Sequence, residues 1–264
     1  MKKLQKPKKK GLKVRMTKIS LVSKHEQVRG TLIKPSSIRT KNRLPGILII
    51  HGWRGNEMRY LPIAEKLARE RAICLTINLR GHGNSAGSKD ERRDLYSASD
   101  HVQDVMAAYK FLVSEKSVDS KRIGAIGGSY GAYLLAMANA EGVKFRWFAF
   151  RVPALYPLKN FRKPTASIIN PELKSFRRKR ISASNHRALF ALKRFPGNVL
   201  IVGSELDEDV PHETIMNYAH PIAKDKLSLV MMSGADHRLS LEEHREAYNN
   251  LLISWVRERL RLVK

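Results

Sequence analysis

From about residue 46 onward, short aliphatic runs alternate with amphipathic segments, and this alternation most limits what the chain can fold into. Residues 46–50 are an aliphatic run, residues 60–71 space Leu61, Ile63, Ala64, Leu67 and Ala68 along one face of a helix, and residues 72–79 are aliphatic again. Runs this short, bounded by polar turns, are buried strands, whereas a 3.6-residue apolar period marks a helix. The alternation continues with helices expected over 95–112, 130–140, 214–222 and 241–260, and strands over 122–126, 145–150, 198–202 and 227–232. Parallel strands need long crossovers, usually helical, so this order predicts an α/β fold with a mostly parallel central sheet covered by helices on both faces. Ahead of it, residues 19–23 and 27–33 alternate apolar and polar side chains across a polar turn, which predicts an antiparallel N-terminal hairpin and a sheet of about eight strands.

A chain of 264 residues with 42% hydrophobic and 28% charged side chains has the composition of an ordinary globular protein, here expected to form a single domain over residues 16–264. Disordered, collagen-like and coiled-coil classes are excluded. The 50 Lys and Arg against 24 Asp and Glu leave a net charge of +26 that is unevenly spread. Residues 1–15 carry eight basic side chains and no acid, and residues 142–203 carry fourteen against the single acid Glu172. The first block predicts a flexible basic tail, able to make weak, salt-sensitive contact with an anionic membrane or nucleic acid. The second falls on 151–196, where the strand-helix rhythm breaks, and predicts a small basic insertion. An insertion there overhangs the carboxyl ends of the strands, where parallel sheets place their sites. Arg177, Arg178 and Arg180 within it suit an anionic substrate. No apolar stretch approaches a membrane span, and the first residues lack the apolar core of a secretory signal, so the expected location is cytoplasmic. The single cysteine, Cys74, fits a reducing compartment and is expected to fill the core.

The most specific local pattern is Gly127-Gly128-Ser129-Tyr130-Gly131, between an expected strand and an expected helix. A strand-to-helix turn that sharp needs small neighbours, holds the serine hydroxyl above the sheet and places it in the field of a helix N-terminus. Serine is a poor nucleophile without a base oriented by a third group. After Ser129, two loops offer the partners: Gly203 to Pro211 gathers Glu205, Asp207, Glu208 and Asp209, and Ser233 to Arg238 holds His237. His244 falls inside the last helix and is expected to be a surface or packing residue. For an oxyanion, the backbone N–H of Tyr130 is one donor and that of Trp53, in His51-Gly52-Trp53-Arg54-Gly55, can be the other.

Together HGWRG, NLRGHGNSAG, GGSYG, GSELDEDVP and GADHR, in this order from about residue 19 to 260, resemble the α/β-hydrolase superfamily, and look most like its small intracellular esterase, acyl-aminopeptidase-like and dienelactone-hydrolase-like members. The resemblance implies that Ser129 is the nucleophile, His237 the base and Asp207 the acid, with Asp209 held in reserve, and that the N–H groups of Trp53 and Tyr130 form the oxyanion hole. It assigns His82, in the RGHG loop, no chemistry. Dienelactone hydrolases usually carry cysteine where Ser129 stands, which turns the expectation toward esters or amides. The insertion is shorter than a lipase cap, which argues against bulky lipids. The resulting expectation is a serine hydrolase acting on a small acyl substrate, with no cofactor and no metal. A silent hydrolase-fold binding protein, recruiting an anionic partner through its basic surface, is the rival.

Overall fold

The computed structural model describes residues 12–37, 43–87, 94–168 and 170–261. Its strands are β1 (Val14–Ser23), β2 (Glu26–Pro35), β3 (Leu44–Ile50), β4 (Ile73–Ile77), β5 (Val118–Gly128), β6 (Trp147–Arg151), β7 (Asn198–Leu206) and β8 (Leu227–Asp236). They form one sheet in the order β1-β2-β4-β3-β5-β6-β7-β8. The hairpin β1–β2 is antiparallel, β2 meets β4 antiparallel, and every other neighbouring pair is parallel. The helices are α1 (Leu61–Arg69), α2 (Ala98–Ser114), α3 (Tyr130–Ala140), α4 (Pro171–Arg177), α5 (Arg187–Lys193), α6 (His212–Ala219) and α7 (Glu242–Arg261).

Because side chains alternate along a strand, β3 feeds two cores. Ile47 and Ile49 pack with Ile63 and Leu67 of α1 and with Leu252 and Trp255 of α7. Leu48 and Ile50 belong to the opposite core, with Val105 of α2, Leu134 of α3, Leu189 of α5 and Tyr218 of α6. Each fully buried Leu or Ile contributes about 2 kcal/mol. This two-faced burial is why the strands read as unbroken aliphatic runs.

Several boundaries differ from expectation. Val14 and Arg15, placed in the tail by composition, are strand residues opposite Pro35 and Lys34. The first eleven residues of that tail lie outside the described residues. β5 begins at Val118 because Val118 and Asp119 pair with Leu44 and Pro45 ahead of a bulge. α2 begins at Ala98, where the Ser97 and Asp100 side chains cap each other's backbone N–H. In the stretch expected as an insertion over 151–196, Arg151 ends β6, and α5 buries Ala188, Leu189 and Leu192 against α3 as an ordinary crossover helix. The excursion is therefore 152–186. Its fastenings include a bridge between Ser97 and Pro164 and two hydrogen bonds of Asn217 on α6, which accepts from Ile181 N and donates to Lys179 O, both at 2.8 Å. Among the described residues no helix is long and apolar enough to cross a membrane.

Candidate active site

β5 ends at Gly128 and α3 begins at Tyr130, so Ser129 alone makes the turn, with φ 50° and ψ −112°. A non-glycine residue held there stores about 1–3 kcal/mol, which only firm surroundings sustain. Those surroundings are close: a Cβ on Gly127 would lie 2.7 Å from Ala132 N, and one on Gly131 would lie 2.3 Å from Ile50 O. Ser129 N donates to Arg151 O at 2.8 Å, and Ala154 N donates to Ser129 O at 3.2 Å. The turn is thus bolted to the end of β6.

The strands β7 and β8 run four residues further than their aliphatic runs suggested, and that extension builds the next part of the site. Beyond Val202 the ladder continues through Gly203↔Met231 and Ser204↔Met232, shifts at a bulge, and closes with Leu206↔Asp236. Since Leu206 faces Asp236, the residues that follow them, Asp207 and His237, emerge side by side. His237 Nδ1 donates to Asp207 Oδ2 at 2.7 Å. The other carboxylate oxygen accepts the N–H of Asp209 at 2.9 Å and of Val210 at 2.7 Å. The Asp207 side chain is 1% exposed and that of His237 22%. Asp209 is exposed, and its carbonyl oxygen accepts from Arg177 Nη1 at 2.7 Å. The structure therefore joins Asp207, and not Asp209, to His237.

Arg151 ties this pair to the serine turn. Its carbonyl takes the Ser129 N–H, while its Nη2 donates to Ser204 Oγ at 2.5 Å and to Asp236 O at 3.1 Å. The guanidinium is buried, and among the described residues its Nε and Nη1 have no partner. Burial pulls its pKa below the usual arginine value. Nothing in the sequence pattern singled this residue out, because its partners lie 53 and 85 positions away. Among the described residues, the Ser129 hydroxyl and His237 Nε2 are not in hydrogen-bond contact; such bonds are often long in an empty site and tighten around substrate.

The loop after β3 packs directly on the serine turn: a Cβ on Gly52 would lie 3.5 Å from Ser129 Cβ. This brings Trp53 and Tyr130 to the same side of the turn, with their rings 5.4 Å apart. Behind them lies a buried polar network. Arg80 donates to Asp104 Oδ1 from Nε at 2.9 Å and from Nη2 at 2.6 Å. Burial works against the Arg80 cation, but its hydrogen bonds to Asp104 and the charges of Asp104 and Asp100 outweigh that, so its pKa is raised. His82 Nδ1 donates to Arg80 O at 3.0 Å, and its Nε2 accepts the Arg54 N–H at 3.3 Å. His101 Nε2 donates to the same carbonyl at 3.0 Å, and its Nδ1 accepts the Tyr130 hydroxyl at 2.8 Å. His51 Nδ1 donates to Gly52 O at 2.8 Å and its Nε2 accepts the Leu79 N–H at 3.2 Å. A carbonyl only accepts and an N–H only donates, so His51 and His82 are each a neutral imidazole of one tautomer, and the Arg80 carbonyl fixes the proton of His101 on Nε2, so that with the ring kept neutral by burial Nδ1 accepts from Tyr130. Burial, with the neighbouring His82 adding to it, pushes His51 and His101 down to about 3. His82, expected to be without a chemical role, braces the loop that carries Trp53.

The remaining candidates lie apart. Cys74 is buried in β4, where burial pushes its thiol well up. His244 is half-buried on α7. Among the described residues no group of three His, Cys, Asp or Glu side chains is placed to hold a metal ion.

Comparison with known proteins agrees with this architecture. The structure is similar to ferulic-acid-bound Est1E from Butyrivibrio proteoclasticus, with a TM-score of 0.72 and 18% identity over 92% of this chain and 99% of that one. It is also similar to the acylaminoacyl peptidase of Pyrococcus horikoshii, with a TM-score of 0.72 and 19% identity over 95% of this chain but 42% of that one. In sequence, 124 residues are 30% identical to the "Uncharacterized peptidase YuxL" of Bacillus subtilis (strain 168), covering 45% of this chain and 19% of that protein. The match thus spans about a fifth of the curated relative's length. The model of the prolyl oligopeptidase family matches residues 63–262, which include the serine turn, both of the last strands and α7. With an eight-stranded α/β-hydrolase fold and a family match over three quarters of its length, the chain belongs to the prolyl oligopeptidase family.

Proposed function

We propose that the protein is a serine hydrolase that cleaves a carboxylic ester, or a related thioester or amide, of a small acyl substrate. The observation that carries this is the 2.7 Å hydrogen bond from His237 to the buried Asp207, at the end of the sheet where Ser129 makes its strained turn. In this mechanism Ser129 Oγ attacks the substrate carbonyl while its proton passes to His237 Nε2. Asp207 holds the Nδ1–H tautomer and stabilises the imidazolium. The N–H groups of Trp53 and Tyr130 receive the oxyanion. Tyr130 is the first residue of α3, whose N–H has no partner within the helix. Collapse breaks the bond to the leaving group, which takes the proton from His237 and departs as an alcohol, thiol or amine. Water then attacks the acyl-enzyme by the same route and frees the acid and Ser129.

Intact-mass labelling with a fluorophosphonate tests this. One adduct on the wild type, absent from Ser129→Ala, is expected. A folded wild type that takes no adduct, or a Ser129→Ala protein that still takes one, overturns the proposal and favours a silent binding scaffold. Two further parts belong to the same proposal: a cytoplasmic setting, in keeping with the lone buried thiol, and a weak contact of the tail with anionic membrane or nucleic acid. That contact, expected of residues 1–15, should weaken as salt rises and vanish on deletion of residues 1–11, which leaves β1 whole.

A further inference from the structure

The two edges of the sheet differ in how they meet water. β1, at one end of the strand order, carries Arg15 and Lys18, both exposed. Charged side chains on an edge strand discourage another chain from pairing with it. β8, at the other end, runs from Leu227 to Asp236, and residues 227–235 read Leu-Ser-Leu-Val-Met-Met-Ser-Gly-Ala, with no charge and no proline. No strand among the described residues pairs with its outer side. Leu229 and Met231 are each 37% exposed. They share the α6 face of the sheet: a Cβ on Gly203 would meet Met231 Sδ at 2.3 Å and Ile215 Cγ1 of α6 at 3.5 Å. The other face belongs to α7, where Trp255 Nε1 donates to Ser228 Oγ at 3.0 Å. A long edge with apolar flanks and no guarding charge is a template for another strand.

We propose that β8 pairs antiparallel with β8 of a second copy of this chain, about a two-fold axis at Val230 normal to the sheet, so that two eight-stranded sheets become one. The strip is complementary to itself. With Val230 opposite Val230, Leu229 of each copy lies against Met231 of the partner subunit on the α6 face, and these apolar cross-strand pairs are the units that stabilise a sheet. Such a contact is closed, so it stops at a dimer. A ten-residue strand is about 33 Å long. With the flanks of the helix layers on both faces the contact is about 25 Å wide, which gives about 800 Å² per partner, the size of a standard stable interface. A charged partner finds nothing to pair with on residues 227–235, whereas for a chain of net charge +26 they are a stretch where two copies meet without placing like charges opposite each other. The inference does not depend on Ser129 as nucleophile.

Sedimentation equilibrium of the full chain from about 1 to about 100 μM tests this. Wild type should approach twice the 30.1 kDa of one chain, and should associate more tightly at higher salt, which screens the repulsion between two copies of charge +26. Met231→Lys places one cation in the strip from each copy and should weaken the dimer about 100-fold, about tenfold for each. Val22→Lys, at a side chain 68% exposed on the opposite edge, should leave it unchanged. Hydrogen exchange of the wild type gives a second measurement that needs no variant: amides within residues 227–232 should exchange faster as dilution splits the dimer, while those of β1 should not change. A wild type that stays at the mass of one chain throughout, an association that loosens as salt rises, one that a folded Met231→Lys protein keeps or that Val22→Lys breaks, or a dimer whose β8 amides ignore dilution overturns the proposal.

Discussion

Two sets of buried polar groups border the Trp53 indole, and they are finished differently. Behind it, Arg80 Nε and Nη2, His82, His101 and the Tyr130 hydroxyl each donate to an acceptor, Asp104 among them. In front of it, Trp53 Nε1 and Tyr133 Oη hold protons with no acceptor among the described residues. A satisfied network in a low-dielectric interior is rigid, because each member fixes the next. An unsatisfied one is a region whose stability is lowered until something else completes it. The difference sorts residues of the same chemistry into those whose hydrogen bonds hold the site's shape and those whose protons are left unpaired.

The comparison is broken most severely at Asp104. Arg80 and Asp104 are 4% and 0% exposed, so Asp104→Ala leaves a buried guanidinium without its hydrogen-bonded carboxylate. Stability should drop by about 3–5 kcal/mol, read from the urea midpoint. A drop below about 1 kcal/mol would mean that Arg80 finds water or another carboxylate, and that the network is not the rigid half of the pair.

Acid attacks the same half. His51 and His101 stand at about 3 in the folded protein against 6.5 for a free histidine. Below pH 6.5 the unfolded chain takes up two protons that the folded state refuses, so stability is full above that pH and is lost as the pH falls toward 3. The slope should approach about 3 kcal/mol per pH unit for the two groups together. Urea titrations at pH 7, 6 and 5 measure it, and a flat result would mean that the folded protein protonates these rings normally.

Arg151 tests a place where the two kinds of finish meet in one side chain. Its Nη2 binds Ser204 and Asp236 O, while Nε and Nη1 are bare. Arg151→Met should lower kcat on a short acyl ester by about 10- to 100-fold, by letting the ends of β7 and β8 shift against Ser129. The urea midpoint should move little, since the variant also relieves an unpaired buried cation. Lost stability with kcat intact would reverse the assignment.

These predictions draw on residues of unequal legibility in the sequence. α3 spans the expected residues 130–140, because a serine turn between glycines and an alanine-rich apolar run leave one interpretation. Ser129, Asp207 and His237 were legible as types in loops of the right order, and their roles rest on the resemblance and on the proposal above. The extensions of β7 and β8 were not, since Gly203-Ser204-Glu205 and Ser233-Gly234 carry turn residues, and an edge strand half open to water needs no aliphatic run. The start of α2 was three residues out, although Ser97 and Asp100 spell a capping box. The buried network had no local signature at all. Arg80 and Asp104 are 24 positions apart, and His101 is 29 from Tyr130, spacings that no helix or strand would impose.

The smallest effect separates the halves most finely, because it uses two tyrosines one turn apart on α3 with rings 6.2 Å from each other. Tyr130→Phe keeps the backbone N–H and the ring but leaves His101 Nδ1 without its donor, and should cost about 1–3 kcal/mol. Tyr133→Phe removes a hydroxyl that gives its proton to nothing, so the urea midpoint should hold or rise, by no more than about 1 kcal/mol. Opposite signs, or near-zero against a clear loss, follow only if the two hydroxyls differ in what they bind. Equal losses would show that Tyr133 Oη has a partner in the folded protein, and that the two hydroxyls are finished alike.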